Sequence, residues 1–554
     1  MSTPTEPLLP SPRGSWWTRL RRLLVGAPRD LQDGSIYRHL SLIALLAWDG
    51  LGADGLSSSA YGPEEAWKAL GEHTYLAVAL AVVTASTVLI ISAAYSRIIE
   101  AFPHGGGGYV VATKLLGRRA GVVSGSALLV DYVLTITISI AAAGDALFSL
   151  LPGSLHGWKE GVEVVFILFL TVLNLRGVRE SVLVLTPVFV LFLLTHLVLI
   201  GGGVALHLPA IPETARQVQG GFSEGVATLG LGALVLRFIH AYSLGGGTYT
   251  GIEAVSNGLP ILREPRVQTA RRTMILMGFS LSFTASGLLL CYLLWGVSPV
   301  EGKTMNAVLA EAFGAHTGLG RPFVVVTLLA EGALLVVAAQ AGFVDGPRVL
   351  ANMAVDSWVP RRFSALSDRL TIHNGILLMG GAALVALFYT SGRVDRLVVM
   401  YSINVFVTFS LSMLGMFLTT VRYRKARWIR RAALFLLGLA LCGTILAVTI
   451  VEKFAEGAWV TLAVTGTLIA LCFVIRSHYE DVRTKLDALY ESLVHVRGRE
   501  AAPASPDPDP GLPTAVVLVG GYGGLGIHTF LNVFRSFPDY FRGVVLVSLG
   551  VVDS

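Results

Sequence analysis

Apolar segments of transmembrane length recur along most of this chain, and this feature restricts the folds open to it more than any other. A helix needs about 20 mainly apolar residues to cross the roughly 30 Å hydrocarbon core of a bilayer. Only 14% of the 554 residues are charged, whereas soluble proteins have roughly 25%. The composition therefore excludes an ordinary soluble enzyme and a disordered protein, and it predicts an all-α polytopic membrane protein. About twelve spans are expected, near residues 40–62, 75–98, 119–149, 160–175, 181–207, 227–256, 271–296, 322–346, 374–391, 395–420, 430–451 and 456–476.

Basic residues alternate between the loops as the positive-inside rule requires. Six arginines precede the first span, whereas the next loop contains only Lys68. The later loops continue this alternation, and the last outer loop contains Lys453 alone. The pattern predicts a multi-pass protein of the cell membrane with both termini in the cytoplasm. Membrane topology then explains the net charge of +6, so this charge does not indicate a nucleic-acid partner, and we expect none.

Composition divides the chain into four parts. Residues 1–37 form a polar cytoplasmic segment, and residues 38–476 form the transmembrane domain. Residues 477–513 combine an amphipathic helix with a Pro-rich linker. Residues 514–554 have the pattern strand, Gly-rich turn, helix, strand, which begins a cytoplasmic α/β domain. A parallel sheet this small cannot bury its faces, so we expect the sequence to be a fragment of a longer protein.

The Gly-rich turn of the tail has two interpretations. Gly521, Gly523 and Gly526 match G-x-G-x-x-G between a strand and a helix, a pattern that can hold a phosphate group. A nucleotide regulator of the tail is one interpretation, and a turn without a ligand is the other.

Two of the spans are interrupted by glycine-rich sequence. The first reads LLAWDGLGADGLSSSAYG (45–62), and the sixth reads AYSLGGGTYTGIEAVSNG (241–258). Interrupted helices within a membrane are tolerated where the backbone lines a cavity. Because these two spans are five apart, they predict an inverted five-plus-five repeat with a site near the bilayer midplane.

Three acids lie in or beside these interruptions. Asp54 and Glu253 belong to the two breaks, and Asp131 lies near the middle of the third span. Each costs roughly 2.5–3.5 kcal/mol at mid-membrane on insertion scales. Such residues are therefore expected to bind cations or protons.

Hydroxyl groups accompany these acids. Asp131, Thr135 and Ser139 are spaced i, i+4 and i+8, so they share one face of a helix. Thr250 and Glu253, at i and i+3, also share a face if the backbone there is helical. Carboxylate, hydroxyl and carbonyl oxygens suit a hard cation, as in ion filters. The alternative for the third span is a face of interhelical hydrogen bonds.

Other ionisable residues in the spans are less informative. Asp49 and Asp145 lie nearer the span ends and favour a capping or hydrated role. Arg237 and His240 are expected to pair with a carboxylate or to reach the interface. For Glu331, structural and functional roles stay equally open.

Five segments resemble the amino acid–polyamine–organocation (APC) superfamily, and within it the KUP-type potassium transporters. They are DGLSSSAYG (54–62), FPHGGGGYVVATKLLG (102–117), LLVDYVLTITISIAAA (128–143), TGIEAVSNG (250–258) and MYSINVFVTFSLS (400–412). The resemblance implies a LeuT-like fold and potassium import by proton symport. It also implies a homodimer organised by cytoplasmic domains.

The resemblance further implies roles for individual residues. Asp54 with Tyr61 would form the ion path and its gate, and Tyr401 would close the pathway. Glu253 would be the proton-coupling group. Potassium coordination would fall to Asp131, Thr135, Ser139 and Thr250.

Two other functions compete with this one. An amino-acid permease on the same fold would place a substrate near Asp54 and Glu253, which repel an anionic group, so it suits only cationic amines or polyamines. A membrane sensor or enzyme would act through its tail, but the sequence has no Ser-His-Asp arrangement, metal-ligand spacing or complete P-loop. We therefore expect no enzymatic activity, no cofactor, and no metal besides the transported potassium.

Overall fold

The computed structural model describes residues 42–105, 107–177, 182–367, 371–494, 511–519 and 524–548. The N-terminal segment and most of the Pro-rich linker lie outside these ranges. The chain divides into two compact units, Met1–Ala470 and Leu471–Ser554, which are described separately below.

The first unit is helical because a backbone within hydrocarbon must satisfy its own hydrogen bonds. Its first half contains α1 (Ala44–Ser57), α2 (Gly62–Leu70), α3 (Ala77–Ala101), α4 (Gly108–Leu116), α5 (Arg118–Phe148), α6 (Lys159–Leu175), α7 (Val182–Leu206), α8 (Ile211–Leu229), α9 (Leu231–Leu244) and α10 (Ala254–Asn257). The second half contains α11 (Arg266–Trp295), α12 (Met305–Thr317), α13 (Gly320–Val355), α14 (His373–Thr390), α15 (Val394–Tyr423), α16 (Trp428–Glu452) and α17 (Trp459–Val494).

Ten of the twelve expected spans correspond to described helices that are long and apolar enough to cross a membrane, if one bent pair counts as a span. Among the described residues, nine helices are long and apolar enough to cross a membrane, and a pair bent by 116°, Leu208–Leu229 with Leu231–Asn257, brings the number up to ten. Within the first expected span, 40–62, α1 is too short to cross a membrane alone, and α2 begins only at the last residue of that span. The fourth is α6, whose 17 residues lie at the lower limit for a crossing.

Four of the described helices lie wholly or mainly in loops to which the sequence analysis assigned no structure. They are α2, α4, α8 and α12. α12 begins at a typical N-cap, because the Thr304 hydroxyl accepts a hydrogen bond of 3.1 Å from the amide of Ala307. α8 has mainly exposed residues and was missed because its sequence is too polar to suggest a span.

α5 is the central helix of the first unit. It packs against α4, α6, α13, α14 and α15, and most of its side chains are buried. Leu42 pairs with the segment after the sixth span, since its amide donates to the Ile261 carbonyl at 3.0 Å and its carbonyl accepts from the Arg263 amide at 2.9 Å. The beginning of the first span is thus attached to the end of the sixth.

The second unit begins within α17, at Leu471, and its other described elements are two strands and a helix. β1 (Thr514–Leu518) and β2 (Gly543–Val547) pair in parallel with Thr514 opposite Gly543, and α18 (Gly524–Ser536) connects them. Gly526 lies in α18, whereas Gly521 and Gly523 lie outside the described residues, so the predicted phosphate-binding turn stays a prediction.

Candidate functional site

The first span breaks at a run of three serines. α1 ends at Ser57, and a 3-10 turn covers Ser58–Ala60 before α2 begins. The hydroxyls of Ser57, Ser58 and Ser59 donate to the carbonyl oxygens three residues earlier, at 2.8, 2.5 and 2.7 Å. These bonds satisfy carbonyl groups that lack a partner at a helix end.

This position corrects the prediction that the break surrounds Asp54. Gly50, Gly52 and Gly55 all remain within α1, and Asp54 lies in its last turn. The serine hydroxyls, rather than the glycines, end the helix. Asp54 is therefore held by regular helical backbone just before the break, where it is half-buried.

The sixth span has a longer break. α9 ends at Leu244, Gly245–Tyr249 form a 3-10 turn, and Thr250 is extended with φ −78° and ψ 161°. Gly251 has a φ of +76°, a region that favours glycine, and Glu253 precedes the short helix α10. The predicted break is present, but Thr250 and Glu253 do not share a helical face because the backbone between them is not helical.

The break of the sixth span contacts the backbone of the last turn of α1 and the serine turn that follows it. A β-carbon on Gly251 would lie 2.6 Å from the amide nitrogen of Gly55 and 2.8 Å from the carbonyl carbon of Asp54. On the other side of the crossing, the Ser58 hydroxyl donates to the Thr248 carbonyl at 2.9 Å. Only small residues permit this approach, so the glycines set the distance between the two breaks.

The three predicted acids meet at this crossing. Asp131 interacts electrostatically with Glu253 and Asp54, and Glu253 interacts with Asp54. Asp131 is 3% exposed and Glu253 is 6% exposed. The Tyr95 hydroxyl donates to Glu253 Oε2 at 3.4 Å, whereas Asp131 Oδ1 is buried and accepts no hydrogen bond from any described residue. In the described ranges, none of the three acids is ion-paired with Lys, Arg or His.

Hydroxyl groups surround the acids. The Tyr61 side chain lies near Thr250 and Tyr401, and the Tyr401 side chain lies near Thr135. The hydroxyls of Thr135 and Thr250 also donate to backbone carbonyls, of Asp131 at 3.0 Å and of Gly247 at 2.7 Å. These four hydroxyl residues are buried. The structure thus brings them together with the acids.

Ser139 is buried two turns beyond Asp131 on α5, but the described contacts do not connect it to the cluster. In the described part of the chain, no three His, Cys, Asp or Glu side chains converge on one point as metal ligands would.

A fourth acid, Asp345 on α13, was missed by sequence analysis. It interacts electrostatically with Asp54 and Glu253, lies near Asn257, and pairs with Arg348 at 3.3 Å. Its side chain is 13% exposed. Because it lies at the end of an expected span and is followed by an arginine, it resembled a loop residue. Its position inside the expected span 322–346 was the sequence feature that could have identified it.

Four of the other ionisable residues named in the sequence analysis, Glu331, Asp49, Asp145 and His240, have side-chain partners. Glu331 accepts a hydrogen bond of 3.0 Å from Asn306 and lies 3.5 Å from His196 Nε2. Two other acids, Asp49 and Asp145, bind side chains near the span ends. The partner pairs are Asp49 with Thr186, Asp145 with Lys159, and His240 with Glu452.

A helical membrane protein with buried acids at the crossing of two broken spans belongs to the class of secondary transporters. Residues 57–475 match the family model described as amino acid permease. The chain therefore belongs to the amino acid permease family, within the APC superfamily and its LeuT-like fold.

Two similar proteins are of particular interest. The potassium transporter KimA of Bacillus subtilis (strain 168) is 32% identical over 485 residues, which are 86% of this chain and 77% of KimA. The manganese transporter of Eremococcus coleocola, solved in complex with an aromatic bis-isothiourea substituted compound, has a TM-score of 0.43 and 14% identity, over 83% of this chain and 98% of that one.

Proposed function

We propose that this transporter imports potassium together with protons through the crossing of the two broken spans. The observation that carries the proposal is the group of buried acids, Asp54, Asp131 and Glu253, without a basic partner among the described residues. Because each ionised acid costs roughly 2.5–3.5 kcal/mol at mid-membrane, the group favours occupancy by cations or protons. The name of the similar protein KimA, a potassium transporter, supports potassium as the cation.

The ligand chemistry also favours a monovalent cation. Carboxylate, threonine and tyrosine oxygens replace a hydration shell without demanding a strict geometry. We assign potassium coordination to Asp131, Thr135, Ser139 and Thr250. Asp54 and Tyr61 form the ion path and its gate in this assignment. Tyr401 closes the pathway, and Glu253 is the proton-coupling group.

Orientation and assembly follow from the same proposal. The alternation of basic loops favours a cell-membrane protein with both termini in the cytoplasm. We propose that the α/β unit at the end of the chain contributes to a homodimer. A nucleotide regulator would bind to its β1–α18–β2 arrangement. The Gly-rich turn is the feature that suggests such a regulator.

A second candidate is a permease for cationic amines or polyamines. The description of the matching family, amino acid permease, favours it. Asp54 and Glu253 would attract an amine and repel a carboxylate, so neutral amino acids fit the site poorly. Uptake of labelled polyamine by cells expressing the chain distinguishes this candidate from potassium transport.

Growth of a host that lacks potassium import tests the proposal. On low-potassium medium, the chain should restore growth, and an Asp131→Ala variant present in the membrane at the same level should not. If the unaltered chain reaches the membrane, takes up labelled polyamine and leaves growth potassium-limited, the amine permease is the correct function.

A further inference from the structure

A cavity of about 420 Å³ lies at one end of the helix bundle, and none of the candidate site residues lines it. Three helix ends form its walls. They are the C-terminal turns of α3 and the first turns of α11 and α16. The loops at these three ends are basic, and the charge alternation assigns all of them to the same side of the membrane.

The cavity is strongly positive. Five of its lining residues are arginines, namely Arg97, Arg271, Arg427, Arg430 and Arg431. Glu100 neutralises part of this charge, since it pairs with Arg97 at 2.9 Å and with Arg271 at 3.2 Å. The three arginines of α16 and its N-cap form no ion pair with any described residue. The cavity therefore has a surplus of positive charge and no acid among its lining residues.

Three of the cavity arginines lie near the start of α16. Arg430 and Arg431 lie in the first turn of α16, Arg427 is its N-cap residue, and all three line the cavity. Arg424 in the same loop does not line the cavity but stacks on Trp428, with its guanidinium 5.2 Å from the ring centre. Thus Arg424 packs against Trp428, whereas Arg427, Arg430 and Arg431 line the cavity.

The remaining wall of the cavity is apolar and continues onto the outer surface of the bundle. It is formed by Ala93, Ile275 and Leu434, with Ser96 beside them. Ile275 is 53% exposed, and Ala93 is also exposed. Because both belong to helices long and apolar enough to cross a membrane, these side chains would face acyl chains in a bilayer.

We propose that this cavity binds the phosphate group of an anionic phospholipid. Guanidinium groups recognise phosphate, and basic pockets between transmembrane helices bind lipid head groups. An apolar wall open to the bilayer suits the acyl chains. The lining residues include no aromatic ring, amide or acid that would recognise a base or a ribose, which disfavours a nucleotide. The bound lipid joins α16 to the ends of α3 and α11.

Binding of phosphatidylglycerol to the full chain tests this proposal independently of what the protein transports. The chain is reconstituted in phosphatidylcholine nanodiscs, and its affinity for added phosphatidylglycerol is measured by native mass spectrometry. The test variant is R427Q/R430Q/R431Q. The matched control is K114Q/R118Q/R119Q, which removes three exposed charges from the end of α4 and the start of α5.

We expect the test variant to bind phosphatidylglycerol at least tenfold more weakly, since each basic residue near the surface contributes about 1 kcal/mol. The control variant should bind like the unaltered chain. Equal weakening in both variants, or none in the test variant, overturns the proposal. Displacement of the lipid by inorganic phosphate at equal concentration also overturns it, because the site is then a soluble-anion site. If the triple variant does not fold, R430Q alone should still show a measurable part of the loss.

Discussion

The α-carbon of Gly251 lies against the backbone of Gly55, and this contact joins the breaks of the first and sixth spans. A β-carbon at position 251 would lie 2.6 Å from the Gly55 amide nitrogen. Gly251 also has a φ of +76°, which residues with a β-carbon seldom adopt. Since Asp54 lies beside this contact and Glu253 follows it two residues later, the contact sets how far apart these acids are.

We therefore expect Gly251→Ala to separate the two breaks. Strain at such a position costs about 1–3 kcal/mol, and the steric overlap with backbone adds to it. The variant should unfold at a lower temperature in detergent and lose most of its cation uptake. Gly443→Ala is the matched control, because Gly443 lies within α16 with open space around its α-carbon. Equal stability and uptake in the two variants would show that the crossing does not depend on this contact.

Substitutions of two threonines on α5 can distinguish an effect on the candidate site from an effect on the packing of the helices. Thr135 reaches Tyr401 in the site, whereas the Thr137 hydroxyl lies 3.2 Å from the Ala383 carbonyl on α14. Thr135→Val keeps the shape but removes an oxygen ligand, so the KM for potassium should rise about fivefold, corresponding to roughly 1 kcal/mol. Thr137→Val should leave the KM unchanged. A comparable rise in both variants would indicate a general effect of altering α5.

Glu253 is the residue through which we expect protons to act. Glu253→Gln keeps the size of the side chain but removes its ability to bind and release a proton. Uptake by this variant should lose its dependence on external pH while cation binding is partly retained. Glu213→Gln, on the exposed surface of α8, serves as the control and should keep the normal pH profile. An unchanged pH profile in Glu253→Gln would remove this residue from the coupling mechanism.

The role of Asp345, the acid that the sequence analysis missed, can be tested by substitution. Because it interacts with Asp54 and Glu253, Asp345→Asn should weaken the attraction of the site for cations and slow uptake severalfold. Asp395→Asn removes an acid that pairs instead with Arg393 at 2.6 Å, and it should have little effect. Kinetics of uptake by the two variants provide the comparison. Equal rates in both would place Asp345 outside the ion path.

Regular helical spacing explains what could be predicted of the site. Asp131 and Thr135 share a face because α5 continues without interruption through both. The exact position of the first break was not predictable from glycine alone, since the serine hydroxyls that end α1 act through bonds to its carbonyls. Similarly, Thr250 was expected to share a face with Glu253 only for a helical backbone, and the φ of Gly251 prevents it.

Contacts between distant segments explain what was missed. Asp345 lies 92 positions after Glu253 in the sequence, and only the packing of α13 beside the crossing brings the two acids together. The amphipathic helix α8 escaped notice because membrane-span criteria select apolar sequence, and its residues are mainly polar. Periodicity and composition describe single helices, whereas these features depend on their arrangement.

Uptake of labelled rubidium, a substitute for potassium, into proteoliposomes tests the central claim most directly. We predict uptake that is stimulated by an inward proton gradient, is suppressed by excess potassium, and is unaffected by arginine or spermidine. The claim of proton-coupled potassium import would be contradicted if rubidium did not enter and the same vesicles accumulated labelled spermidine.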